Sequence, residues 1–154
     1  MRLSKRSEYG VRAMLLLSSH VGEEAALSIR SIADTEAIPI KFLEQILLML
    51  KNAELLNSRK GVGGGYYLAR APQEINLASI IRVLDGPLAP VKCVSQMAYE
   101  PCECADENTC GLRMVMQDVR EAIVTILEKT TLTDLADRVK HQRTISDISW
   151  DGEI

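Results

Sequence analysis

The chain has 154 residues, 47% of them hydrophobic and only 4% aromatic, with four cysteines and a formal net charge of −3. That length suits one domain, or one domain with an appendage, and allows a hydrophobic core without disulfide staples, so a stapled scaffold is excluded. No window approaches the length needed to span a membrane.

The charge is unevenly spread: residues 1–70 carry 10 basic and 7 acidic groups, whereas residues 93–154 carry 6 and 12. The acidic total therefore does not exclude nucleic acid, because the first half can present a basic face. The opening MRLSKRSEYG lacks the apolar stretch and small-residue cleavage site of a signal peptide, and the expectation is a cytoplasmic protein. In such a reducing compartment, clustered cysteines point to metal ligands or redox thiols before structural disulfides.

In chain order, Ser4 is placed to cap a helix running to about Ser19, with Val11, Met14, Leu15 and Leu17 among its apolar positions. VGEEA ends it. Ser28 caps a short second helix, IRSIADTE, in which Ile29, Ile32 and Ala33 share a face. After a break at Ala37 and Ile38, Pro39 suits the first turn of a third helix, and Leu43, Ile46, Leu47 and Leu50 supply its buried stripe out to Asn52. Two short helices joined by a tight turn describe a helix-turn-helix.

The next stretch, LLNSRKGVGGGYYLAR, has an apolar start, a charged glycine-rich centre and an aromatic-aliphatic finish, which is the order of a β-hairpin wing. A phosphate-cradling enzyme loop is the rival. It lacks the Gly-Lys-Ser/Thr of a P-loop, and Tyr66 stands where a dinucleotide fingerprint beginning at Gly61 needs glycine. INLASIIRVLDG reads as a fourth helix ending near Gly86 and Pro87. Farther on, Leu112, Val115, Met116, Val119, Ala122, Ile123, Ile126 and Leu127 recur at three- and four-residue steps. That long helix either packs on its own domain or pairs with a second copy, and pairing is preferred because it presents two recognition helices one DNA turn apart. After Thr130 one short helical stretch, TDLADRV, precedes polar residues ending in Trp150, where fraying and no chemistry are expected.

Together, MRLSKRSEYGVRAM, the helix ending in FLEQIL, the wing RKGVGGGYYLAR, the cysteine loop before a long helix and the following TLTDL resemble the Rrf-two family of bacterial winged-helix regulators over roughly residues 1–138. The resemblance implies a mainly α fold with a small β-hairpin wing, a winged helix-turn-helix domain followed by a long dimerisation helix. It implies a homodimer on double-stranded palindromic operator DNA that answers to an iron-sulfur cluster or a related signal, with no enzymatic activity. The corresponding division is residues 1–86 for the DNA-binding domain, 87–111 for a cysteine-rich cluster-binding loop, 112–130 for the dimerisation helix and 131–154 for a C-terminal tail.

The cysteines run Cys93, eight residues, Cys102, one residue, Cys104, five residues, Cys110, with no histidine between. The spacing fits neither zinc ribbons nor ferredoxins, but four thiolates in one flexible loop can converge on an iron-sulfur cluster, of two-iron or four-iron form. By resemblance, Cys93, Cys104 and Cys110 match family ligands, and Cys102 is additional. Arg113 stands where the family's iron-sulfur sensors place a histidine ligand, and a guanidinium does not ligate metal. An all-cysteine site is the simplest expectation, with Glu8 of the partner subunit as an alternative ligand. A metal-free thiol switch and a zinc site are the other readings.

For DNA, Lys41, Glu44 and Gln45 near the amino end of the third helix are placed to meet base edges. Arg59 and Lys60 in the wing suit a minor groove. Ser4, Lys5 and Arg6 at the start of the first helix suit phosphates. The resemblance supports Glu44, Gln45 and Lys60 in these roles.

Overall fold

A computed structural model describes residues 2–150 of the chain, with side chains described through Ser146. Ser4 caps α1 (Lys5–Ser18) by accepting the Ser7 N–H, and Ser28 caps α2 (Ile29–Glu36) by accepting the Ser31 N–H. α2 closes on Ala37 in the left-handed region, at φ 50°, where the Ile38 N–H returns to the Ala33 carbonyl and the Ile38 side chain is buried. This is the turn of the helix-turn-helix. α3 (Ile40–Asn52) follows, and here the reading of Pro39 shifts by one position. At φ −58° and ψ 125° Pro39 is the residue before the helix, since its extended ψ lies outside the helical range.

The expected stripe of α3 is fully buried: Leu43, Ile46, Leu47 and Leu50 meet Ala13, Met14 and Leu17 of α1 and Ile32 of α2 in one core. The wing is an antiparallel pair, β1 (Leu56–Arg59) and β2 (Gly65–Leu68), registered Leu56 to Leu68 and Arg59 to Gly65. Its third partner was not foreseen. Leu27 and Tyr66 exchange backbone hydrogen bonds of 3.0 and 2.8 Å, which fastens the wing to the segment before α2. A Cβ at residue 65 would meet the Leu27 carbonyl oxygen at 2.1 Å, so this close approach requires Gly65.

α4 (Leu77–Asp85), capped by Asn76, buries Ala78, Ile80, Ile81 and Leu84 and packs on α1 and α3. The cysteine segment then crosses to α5 (Gly111–Lys129). The apolar positions of α5 divide into two faces. Met116, Ile123 and Leu127 are half-buried beside the buried Arg120, whereas Leu112, Val115, Val119 and Ile126 remain 37–66% exposed.

The chain then returns to the main core. Leu132 is fully buried in the main core, and its N–H donates to the Ile75 carbonyl at 2.9 Å. Instead of a short helical stretch and a frayed tail, α6 runs from Leu132 to Trp150 and packs on α1; residues 151–154 of the expected tail lie outside the described residues. The reason lies at its start. Thr131 and Asp134 exchange hydrogen bonds of 2.7–3.2 Å in a reciprocal cap, and no glycine or proline interrupts residues 132–150. Among the described residues no helix is long and apolar enough to cross a membrane.

Candidate functional site

On α3, Lys41, Glu44 and Gln45 are exposed opposite the buried stripe, at the i, i+3 and i+4 spacing that places them on one face. The Lys51 ammonium donates to the Ser58 hydroxyl at 2.7 Å and ties the end of this helix to the wing. In the wing the Arg59 guanidinium donates to the Gly63 carbonyl at 3.0 Å and braces the turn, while Lys60 is exposed beside it. At the start of α1, Ser4 is engaged within the protein: its N–H and hydroxyl both donate to the Asp85 carboxylate. Lys5 is exposed and paired with Glu8 at 2.5 Å, and Arg6 is exposed with one guanidinium nitrogen 3.9 Å from the Met49 sulfur. Glu8, the alternative metal ligand, thus has a local partner on its own helix.

The four cysteines converge. Cys93 is held in a short 3-10 turn, Lys92–Val94, and is buried; Cys110 is the residue before α5, where its sulfur accepts the Arg113 N–H at 3.5 Å. The Cys104 sulfur is 4.0 Å from that of Cys110. A cavity of about 320 Å³ is lined by all four together with Pro101 and Arg113. All four are free thiols.

Their electrostatics follow from crowding. The Cys104 thiol is pushed up to about 12, first by its hydrogen bond to Cys102 and then by that to Cys110. Burial and the adjacent Cys102 push the Cys93 thiol up. Negative sulfur is disfavoured here until a cation arrives, and a metal binding these groups displaces their protons. The donor set itself fits a soft metal centre: four thiols lining one cavity.

Three residues that the sequence reading did not assign as ligands or supports complete the surroundings. Glu107 accepts the Tyr99 hydroxyl at 2.6 Å with one carboxylate oxygen and faces Arg113 Nε at 3.4 Å with the other. Arg113 donates from the same Nε to the Cys93 carbonyl at 3.3 Å. Its work is to anchor the loop to α5. Glu107, Cys93 and Cys102 present ligand atoms that all lie within 4.8 Å of one another. Nothing in the sequence separates Glu107 from Glu100, Glu103 and Asp106 in the same segment; the fold alone selects it.

A helix-turn-helix with a hairpin wing, followed by a thiol-lined loop and a long helix with an open apolar face, defines the class of winged helix-turn-helix proteins. Residues 3–138 match the family described as Rrf2, iron-dependent transcriptional regulator, and the chain belongs to that family. It is therefore a DNA-binding transcription regulator and not an enzyme. Among curated relatives it is 36% identical to the HTH-type transcriptional regulator CymR of Bacillus subtilis over 136 residues, covering 88% of this chain and 90% of that protein. The solved structure of that CymR, described as the global cysteine regulator of B. subtilis, superposes with a TM-score of 0.75 at 35% identity, covering 90% of this chain and 98% of that one. The structure of T. potens IscR gives a TM-score of 0.71 at 32% identity over 90% and 88% of the two chains.

Proposed function

We propose that the protein is a cytoplasmic homodimeric repressor of palindromic operator DNA whose affinity is set by an iron-sulfur cluster held by Cys93, Cys102, Cys104 and Cys110. The observation that carries this reading is that all four cysteines line one cavity immediately before α5. The family's iron dependence supports it. When bound, the cluster supplies a link sensitive to redox state, nitric oxide or iron-sulfur and iron status. Both two-iron and four-iron forms suit four thiolates, and Glu8 of the partner subunit is the alternative ligand.

The chain's own residues do the rest. Lys41, Glu44 and Gln45 meet base edges, Lys5, Arg6 and the Ser4 end of α1 meet phosphates, and Lys60 enters the minor groove from a wing braced by Arg59. The open face of α5 joins the two subunits, so that residues 1–86 of each present one α3 to each half-site. Arg113 and Cys110 connect the loop to α5, and loss of the cysteine-held centre releases that connection.

The test is anaerobic purification with visible absorption, iron and sulfide analysis, and operator binding at one fixed salt concentration. The loaded protein should show iron and sulfide in equal amounts, Cys110→Ala should lose both the chromophore and the loaded form's operator affinity, and helical content should be unchanged. Identical operator affinity for loaded, cluster-free and Cys110→Ala protein would remove the switch. A second reading, a cluster-free thiol switch, rests on the 4.0 Å between the Cys104 and Cys110 sulfurs. Under that reading oxidant joins these two and changes DNA affinity in protein that never held sulfide.

A further inference from the structure

We infer that Cys93, Cys102 and Glu107 form a site for a single divalent ion of the iron and zinc class, which the loop binds in its cluster-free form. The site shares two cysteines with the cluster reading but does not depend on it. Separation of the donors is the first argument. The two sulfurs and a carboxylate oxygen lie within 4.8 Å of one another. Ligands on one tetrahedral ion, with metal–sulfur bonds of about 2.3 Å and metal–oxygen bonds of about 2.0 Å, stand roughly 3.5–3.8 Å apart. Closing the set onto one ion needs movements of about an ångström or less, whereas donors bound to different irons of a cluster must stand farther apart because the irons lie between them.

The second argument is the state of Glu107. Its Oε2 is fixed by the Tyr99 hydroxyl at 2.6 Å. Its Oε1 is shielded from solvent and accepts no hydrogen bond, although Arg113 Nε lies 3.4 Å away. A carboxylate oxygen removed from water without a hydrogen-bonded partner is costly; Arg113 offsets its charge from 3.4 Å, and a bound metal ion would supply the direct bond it lacks. Tyr99 and Arg113 are positioning residues: one holds the carboxylate, the other holds both that carboxylate and the Cys93 carbonyl.

Charge is the third. A guanidinium beside an isolated cation would repel it. Two thiolates and one carboxylate carry three negative charges, however, so a divalent ion leaves one over, and Arg113 neutralises it. The two thiol protons leave to solvent as the ion binds. Thiolate donors exclude magnesium and calcium, and a mixed sulfur and oxygen set suits iron(II), zinc(II) or cobalt(II). Three protein ligands leave a fourth position open, which makes the ion exchangeable and opens it to further chemistry.

Cobalt(II) is the probe, because its thiolate charge-transfer bands report the number of sulfur ligands. The full chain, reduced, anaerobic and free of sulfide, is titrated with cobalt(II) as the unmodified protein and as the Cys104→Ser/Cys110→Ser, Glu107→Gln and Cys102→Ser variants, with circular dichroism confirming helical content. The unmodified protein and the double variant should each bind one cobalt(II) per protomer with the intensity of two thiolates. Glu107→Gln should bind at least tenfold more weakly, and Cys102→Ser should lose half or more of the charge-transfer intensity. Loss of cobalt(II) from the double variant would assign the ion to the other cysteines, and unchanged affinity in Glu107→Gln or unchanged intensity in Cys102→Ser would remove the proposed ligand set. Cluster assembly is read separately by adding iron and sulfide. A missing sulfide-dependent chromophore would defeat the cluster reading and leave the cobalt(II) result standing, and the reverse outcome would defeat only the single-ion site.

Discussion

Gln45 and Lys60 occupy exposed positions of different character, one on the open face of α3 and the other at the tip of a hairpin. An amide that pairs with adenine in the major groove carries sequence information, whereas a wing lysine contributes charge. Gln45→Ala should therefore lose about 1–3 kcal/mol of discrimination at one base position, and Lys60→Ala should weaken binding to all sequences and reduce the salt slope by about 1. Gel shifts on the operator and on single-base variants over a salt series separate the two, and equal losses on every sequence for Gln45→Ala would reassign it to anchoring. At the start of α6, hydrogen bonds from the Thr131 N–H and then from its hydroxyl hold the Asp134 carboxyl below the ordinary aspartate value of 3.8. Because the folded value is the lower one, the stabilisation is complete above the ordinary value and is lost as pH falls through the folded value. Asp134→Asn should be less stable than the unmodified protein from about pH 5 upward, and the difference should shrink below about pH 3.8 and be lost only once the pH falls below the folded value. Urea midpoints across that range check the sign; a difference that persists at the acid end contradicts it.

α5 shows how one apolar period serves two surfaces. Met116, Ile123 and Leu127 turn toward their own domain, while Leu112, Val115, Val119 and Ile126 leave a second stripe in water. An isologous pairing along that stripe places each residue in the interface twice. Val119→Glu then puts two carboxylates into an apolar seam and should raise the dimer dissociation constant at least about 100-fold, roughly 3 kcal/mol. Sedimentation at micromolar concentration reads this directly, and a monomeric unmodified protein would end the argument. The sequence already displayed most of this element and of α1 to α4, since their caps and apolar spacing are local signals: Ser4, Ser28 and the Leu43 to Leu50 stripe are where local chemistry puts them. Partition of the α5 stripe was not legible, because period alone does not say which neighbour covers which side. Nor was the bridge between Leu27 and Tyr66, whose pairing spans the whole helix-turn-helix. α6 escaped for the opposite reason. It is polar on most faces, and its cap at Thr131 and Asp134 carries more of the signal than its weak apolar period. In the site, thiol chemistry made the cysteines visible, but the choice of Glu107 among four nearby acidic residues is made by tertiary geometry.

At the scale of the whole molecule, the two functional ends meet at Asp85. It is the last residue of α4, and Gly86, at φ 87°, then turns the chain into the cysteine segment. Its carboxylate accepts the N–H and hydroxyl of Ser4, so the end of α4 grips the start of α1, and α1 packs on α3. On the other side α4 packs on α5, where Arg82 and Glu128 pair at 2.7 Å. Burial pushes the Asp85 carboxyl up, but the Ser4 hydroxyl and N–H bonds and the charge of Arg6 outweigh it and hold the group below its ordinary value. The charged form is thus the one that makes the contact. Under the proposed function, a change at the cysteine loop that shifts α4 or α5 would reach the start of α1 through this junction, and such coupling would be reciprocal between the two sites. Asp85→Asn keeps the shape of the side chain but removes its charge and leaves a single oxygen for two donors. The expected outcome is normal iron and sulfide content together with a loaded-to-cluster-free ratio of operator affinities that collapses toward one, from the roughly 5- to 150-fold typical of coupled sites. Measured at one salt concentration on one operator, a ratio equal to that of the unmodified protein would show that the signal travels by another route, such as the α5 pairing itself.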